Sequence, residues 1–315
     1  MVPNRTLILL LTACLILTSC RSFDSTSATP PGQTQGEPAS ATDPVSQPET
    51  STPAPDYVSR IRNAEYQLGF MDVPRVVQLT DGRFEQGSSG GEDYVSVIVT
   101  DFTARGDLDG DGFDEYAAMI AEDYGGTGTF VFLAVFADVN GKPVFQTSVF
   151  VDDRPQVNEL SIGSGEVFMD ATVHRKDEPL CCPTMKTVRH YRLVTNQLDM
   201  IDYVTFTPDG RARTIVIEAP ANGAEVFRSV PIRGSVAVAP FENNLVYRIY
   251  DLGGVELAIG SIGVNSNEMG GPGTFEQILL LGNILSGAVI RMEVQDINAE
   301  DGSLFAMDSV ELVVK

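Results

Sequence analysis

The strongest constraint on this fold is a series of short apolar runs broken by turn residues. Val95-Ser96-Val97-Ile98-Val99, Phe130-Val131-Phe132-Leu133-Ala134-Val135-Phe136 and residues 144–151 combine β-branched and aromatic side chains with period-two stretches. Side chains of this kind suit a pleated strand better than a helix. Asp81-Gly82, Asn140-Gly141-Lys142-Pro143 and Gly163-Ser164-Gly165 separate the runs and supply the backbone freedom that tight turns need. Consecutive strands are therefore expected to pair as antiparallel hairpins in a domain spanning residues 56–210. A short helix near Tyr57 to Tyr66 leaves an α+β variant of that domain open.

A turn at Thr207-Pro208-Asp209-Gly210 precedes a second periodic region, residues 211–315, whose length suits one sandwich domain. Ile215-Val216-Ile217-Glu218-Ala219-Pro220, Asn222-Gly223-Ala224-Glu225-Val226 and Val230-Pro231-Ile232-Arg233-Gly234 read as strands and turns with proline near strand ends. The chain as a whole is thus expected to be mainly β, with an antiparallel β-rich domain followed by an immunoglobulin-like β-sandwich.

In this second region, Phe241-Glu242-Asn243-Asn244-Leu245, then Tyr247-Arg248-Ile249-Tyr250-Asp251 and Gly254, are followed by Gly273-Thr274-Phe275 leading into residues 277–281. This series resembles the immunoglobulin-like domain of bacterial spore germination proteins. The resemblance covers about the last hundred residues and implies a non-catalytic envelope module. Its quoted residues are structural in kind, so Phe241 and Phe275 are expected in the core and Glu242 as a solvated charge.

The first residues carry Arg5, an apolar run from Leu7 to Leu17, and Leu17-Thr18-Ser19-Cys20. The run is short for a membrane span and matches an export signal. Leu17-Thr18-Ser19-Cys20 resembles the lipobox of bacterial lipoproteins, which implies cleavage of residues 1–19 and acylation of Cys20, anchoring the chain to a membrane. Residues 20–55 are dominated by Ser, Thr, Pro, Gln, Gly and Ala and are expected to form a disordered tether. The expected location is the outer face of the cell membrane or the cell envelope. With a formal charge of −22, nucleic acid is excluded as a partner class.

Gly106-Asp107-Leu108-Asp109-Gly110-Asp111-Gly112-Phe113-Asp114-Glu115 carries the clearest chemistry. A hard divalent ion takes several oxygens, and Asp107, Asp109 and Asp111 can converge on calcium with the Phe113 carbonyl and Glu115 or Asp114. The pattern resembles the Asp-rich loops of integrin-type FG-GAP repeats and of dockerins, which implies a structural calcium held by Asp107, Asp109, Asp111, Phe113 and Glu115. It departs from an EF-hand because its twelfth position is Ala118. Without an ion, the same residues make an Asp/Gly hairpin turn.

Of the 4 cysteines, Cys181 and Cys182 are the two beyond Cys20. As neighbours they either close a vicinal disulfide or stay as buried thiols. His174 and His190 are the only histidines, each in a strand-like stretch. No oxyanion-type glycine motif accompanies them. Gly125-Gly126-Thr127-Gly128-Thr129 lacks the lysine of a phosphate-binding loop and leads into a strand. These readings favour a non-catalytic envelope lipoprotein whose partner is an envelope protein or polymer. A metal-dependent envelope hydrolase and a solute-capturing lipoprotein are the competing classes.

Overall fold

The computed structural model describes residues 56–315 apart from Asp72 and Asn283. The expected signal segment, Cys20 and the tether lie outside the described residues. Helix α1 (Tyr57–Ile61) begins at Asp56, whose side chain accepts from Ser59 N at 2.8 Å. The helix is shorter than the sequence suggests. Asn63 Nδ2 donates to Ser59 O at 2.9 Å and closes its last turn, while Tyr66 lies in strand β1 (Glu65–Gln67), paired with β2 (Val76–Gln78).

Strands β3 (Arg83–Gln86), β4 (Val95–Gly106), β5 (Glu115–Asp123), β6 (Phe130–Val139) and β7 (Lys142–Asp153) form one antiparallel meander in that spatial order. Both of its faces are covered. On one, Val97, Ile120 and Phe136 pack against Ile61, Tyr66, Leu68 and Leu79. On the other, Met119, Leu133 and Val135 meet Val167, Met169 and Ala171. This double burial is why β5 and β6 read as continuous apolar runs instead of alternating ones.

The second face packs against β8 (Gln156–Gly163), β9 (Glu166–Val173), β10 (Met185–Val194) and β11 (Gln197–Phe206). The turns Asn140-Gly141 and Ser164-Gly165 hold positive φ at both residues, as two-residue hairpins with right-handed twist require. After β11 the chain turns at Gly210, whose N–H donates to Thr207 O at 2.8 Å, and enters β12 (Ala212–Arg213).

The remaining strands are β13 (Ile215–Ala219), β14 (Ala224–Val226), β15 (Ser229–Val236), β16 (Asn244–Asp251), β17 (Glu256–Ser266), β18 (Gly273–Leu280), β19 (Val289–Ile297) and β20 (Leu304–Val314). They make a sandwich. One layer runs β13-β15-β18 and the other β17-β16-β19-β20, with β17 reaching both and β14 lying parallel to β20. Between the layers lie Ile232, Leu245, Ile249, Ile262, Phe275, Met292 and Leu312. The architecture is that of an immunoglobulin-like sandwich, its first strand divided between the layers.

The second layer does not end at β20. Strand β11 pairs with β20 through Asp202↔Asp308, Tyr203↔Met307 and Val204↔Ala306, so one sheet continues across the Gly210 turn. Phe275 is a core aromatic, as expected, but Phe241 is 69% exposed. Pro240 enters and Glu242, at φ 57°, redirects the short 3-10 turn, so Ala239 and Leu245 take the core positions on either side.

Candidate metal centre

The Asp-rich segment is the hairpin between β4 and β5, two neighbouring inner strands of the meander. Its entry is fixed by Gly106, where a Cβ would lie 2.6 Å from Ile162 Cγ2. Leu108 is buried among the side chains between the sheets and pins the middle of the loop to the core. Gly110 and Gly112 have φ of +80° and +88°, values that favour glycine. Gly112 is the sixth residue counted from Asp107, where calcium loops need a sharp turn.

The loop's own amides orient the carboxylates. Asp107 Oδ1 accepts from Gly110 N at 2.7 Å and its Oδ2 from Gly112 N at 3.1 Å. Asp109 Oδ1 accepts from Asp111 N at 3.1 Å, and Asp111 Oδ1 from Phe113 N at 2.7 Å. Carboxylate oxygens of Asp107, Asp109 and Glu115 lie within 4.8 Å of one another. Asp111 stands outside that group, engaged with the amide of Phe113, whose ring is exposed. Asp114 turns away to Arg105 at 2.6 Å, which leaves Glu115 as the acid that closes the group.

Glu115 is buried and accepts from Leu108 N at 2.8 Å. Burial pushes its carboxyl above the ordinary value, the Leu108 N–H opposes that, and the charges of Asp109, Asp111 and Asp107 raise it further. Three gathered carboxylates with no histidine or cysteine among them are hard oxygen donors of the type calcium takes. Asp107, Asp109 and Glu115 are the residues that could hold such an ion.

The other expected residues lie elsewhere. Cys181 and Cys182 are joined as a vicinal disulfide on the exposed loop between β9 and β10. His190 in β10 sits 3.3 Å from Glu166. His174, just beyond β9, has its Nδ1 2.9 Å from Asp152 Oδ2, and the same oxygen accepts from its backbone N–H at 2.6 Å. The His174–Asp152 pair escapes sequence reading because its members are 22 residues apart, Asp152 in β7 and His174 beyond the end of β9. Neither the family models nor the curated proteins compared with this chain match it.

Proposed function

We propose that this chain is a non-catalytic lipoprotein of the cell envelope. Cys20 carries the lipid, residues 20–55 give reach, and the β-scaffold presents loops to an envelope protein or polymer. Calcium at Asp107, Asp109 and Glu115 locks the β4–β5 hairpin and has a structural role. The observation that carries the reading is the gathering of these carboxylates on a turn inside the meander. An ion there stiffens the scaffold. The resemblance of residues 211–315 to the immunoglobulin-like domain of spore germination proteins supports an envelope setting.

Two measurements test the proposal. Calorimetric titration of the purified chain should find one calcium per chain, with Asp109→Ala abolishing the heat. Radiolabelled palmitate should enter the expressed protein and be lost in Cys20→Ser. Absence of label in the parent chain contradicts the lipid anchor, and unchanged calcium uptake in Asp109→Ala contradicts the ion site.

A further inference from the structure

Two cavities share lining residues where the sandwich meets the turn between β11 and β12. The larger, about 800 Å³, is walled by Val238, Ala239, Ile297 and Phe305, with Phe241 also facing it. The smaller, about 280 Å³, shares Pro208, Arg213, Asn298 and Phe305 with the first and is also lined by His174. Apolar walls with a few placed polar groups characterise small-molecule sites.

His174 supplies an unsatisfied polar group. Its side chain is 7% exposed and its Nδ1 lies 2.9 Å from Asp152 Oδ2. Asp152 occupies Nδ1, which leaves Nε2 as the ring nitrogen open to a further partner. Among the described residues, Nε2 is the buried side-chain nitrogen or oxygen that has no hydrogen-bond partner. A ligand hydroxyl, which can both donate and accept, would satisfy it.

The cations around the cavities are already engaged. Arg213 meets Asp296 at 3.4 Å, and Arg175 meets Glu178 at 3.7 Å. Arg211 donates to Asp209 at 2.9 Å and to Gly270 O at 2.8 Å, while Lys176 donates to Asp301 O at 2.9 Å. The acids Asp209, Asp296, Glu300 and Asp301 line the same cavities and offset these cations, so the lining does not favour an anion, whereas a neutral hydroxyl-bearing ligand can hydrogen-bond to groups of either sign. Phe241 presents an exposed ring from a turn whose Glu242 is held at φ 57°, a backbone state that clusters at functional sites.

We propose that the two adjoining cavities bind a neutral oligosaccharide, one hydroxyl hydrogen-bonded to His174 Nε2 and the C–H face of a sugar ring lying on Phe241. The inference names a ligand class for the binding-module reading and depends on neither the calcium nor the lipid. A free oligosaccharide and the end of an envelope polysaccharide present the same chemistry.

The test is an array of neutral mono- to tetrasaccharides, with sugar phosphates and uronic acids alongside, probed with the purified chain and followed by calorimetry. At least one neutral oligosaccharide should bind saturably, and Phe241→Ser and His174→Phe should each weaken it about ten-fold. Phe241 is exposed, so Phe241→Ser keeps its melting temperature and stays informative if His174→Phe fails to fold. Co-sedimentation with insoluble chitin and cellulose separates a polymer end from a soluble sugar. No binding across the array, preference for the anionic sugars, or unchanged affinity in Phe241→Ser overturns the proposal. None of these outcomes alters the calcium titration.

Discussion

Glu122 is fully buried at the end of β5 and accepts from Tyr66 Oη at 2.6 Å, Gly69 N at 2.8 Å, Phe70 N at 3.3 Å and Tyr124 Oη. Burial, and after it the charge of Glu122, pushes the Tyr66 hydroxyl well above its ordinary range, which keeps it a donor. Glu122→Ala strands these donors away from water and should cost roughly 3 kcal/mol in urea denaturation. Glu122→Gln keeps an acceptor and should cost less. A loss below about 1 kcal/mol for Glu122→Ala would contradict this role. Nothing local in the sequence marks this node, because three of its donors come from a segment more than fifty residues earlier. The gathered acids Asp107, Asp109 and Glu115 were more legible because they sit in one loop. Even there, the amide of Phe113 draws Asp111 away from the group, a local competition that spacing alone does not reveal.

At the level of strands and turns, residues 95–99, 130–136 and 144–151 announce β4, β6 and β7 because their side chains suit burial on a pleated surface. The β10–β11 turn was less visible. Thr195 and Asn196 occupy it at φ of 46° and 62° with no glycine, so a β-branched residue sits in left-handed backbone. Thr195→Asn should therefore stabilise the chain by about 1 kcal/mol in chemical denaturation. A destabilised variant would show that threonine makes a compensating contact. Gly234 is the opposite case. A Cβ there would meet Val216 O at 2.1 Å and Phe275 Cζ at 2.4 Å, so Gly234→Ala should destabilise by more than about 3 kcal/mol through overpacking between β13 and β18. The sequence shows that glycine but not the strand and ring that crowd it, since both come from pairings set by the folded sheet.

Across the whole molecule, the joining of β11 to β20 could not be read from the sequence, because registers between segments a hundred residues apart leave no local pattern. The seam sets Asp202 opposite Asp308. Burial pushes the Asp202 carboxyl up to about 6, Asp308 and Glu166 add to the rise, and His190 opposes it. A carboxyl raised in the folded state binds its proton more tightly there than in the unfolded chain. Its stabilising contribution is complete below the unfolded value near 3.8 and is lost as pH rises through about 6. Asp202→Asn should accordingly raise the melting temperature at pH 7.5 and lose that advantage at pH 4. An equal shift at both values would remove Asp202 from the seam's pH response. The central claim, that the β4–β5 hairpin is an ion-locked element of a binding scaffold, is tested most directly by melting the purified chain in millimolar calcium and in chelator. A ligand bound only by the folded state raises its stability with concentration. The account predicts a higher melting temperature in calcium for the parent chain and none for Asp109→Ala, whereas identical melting of the parent chain in calcium and in chelator would contradict it.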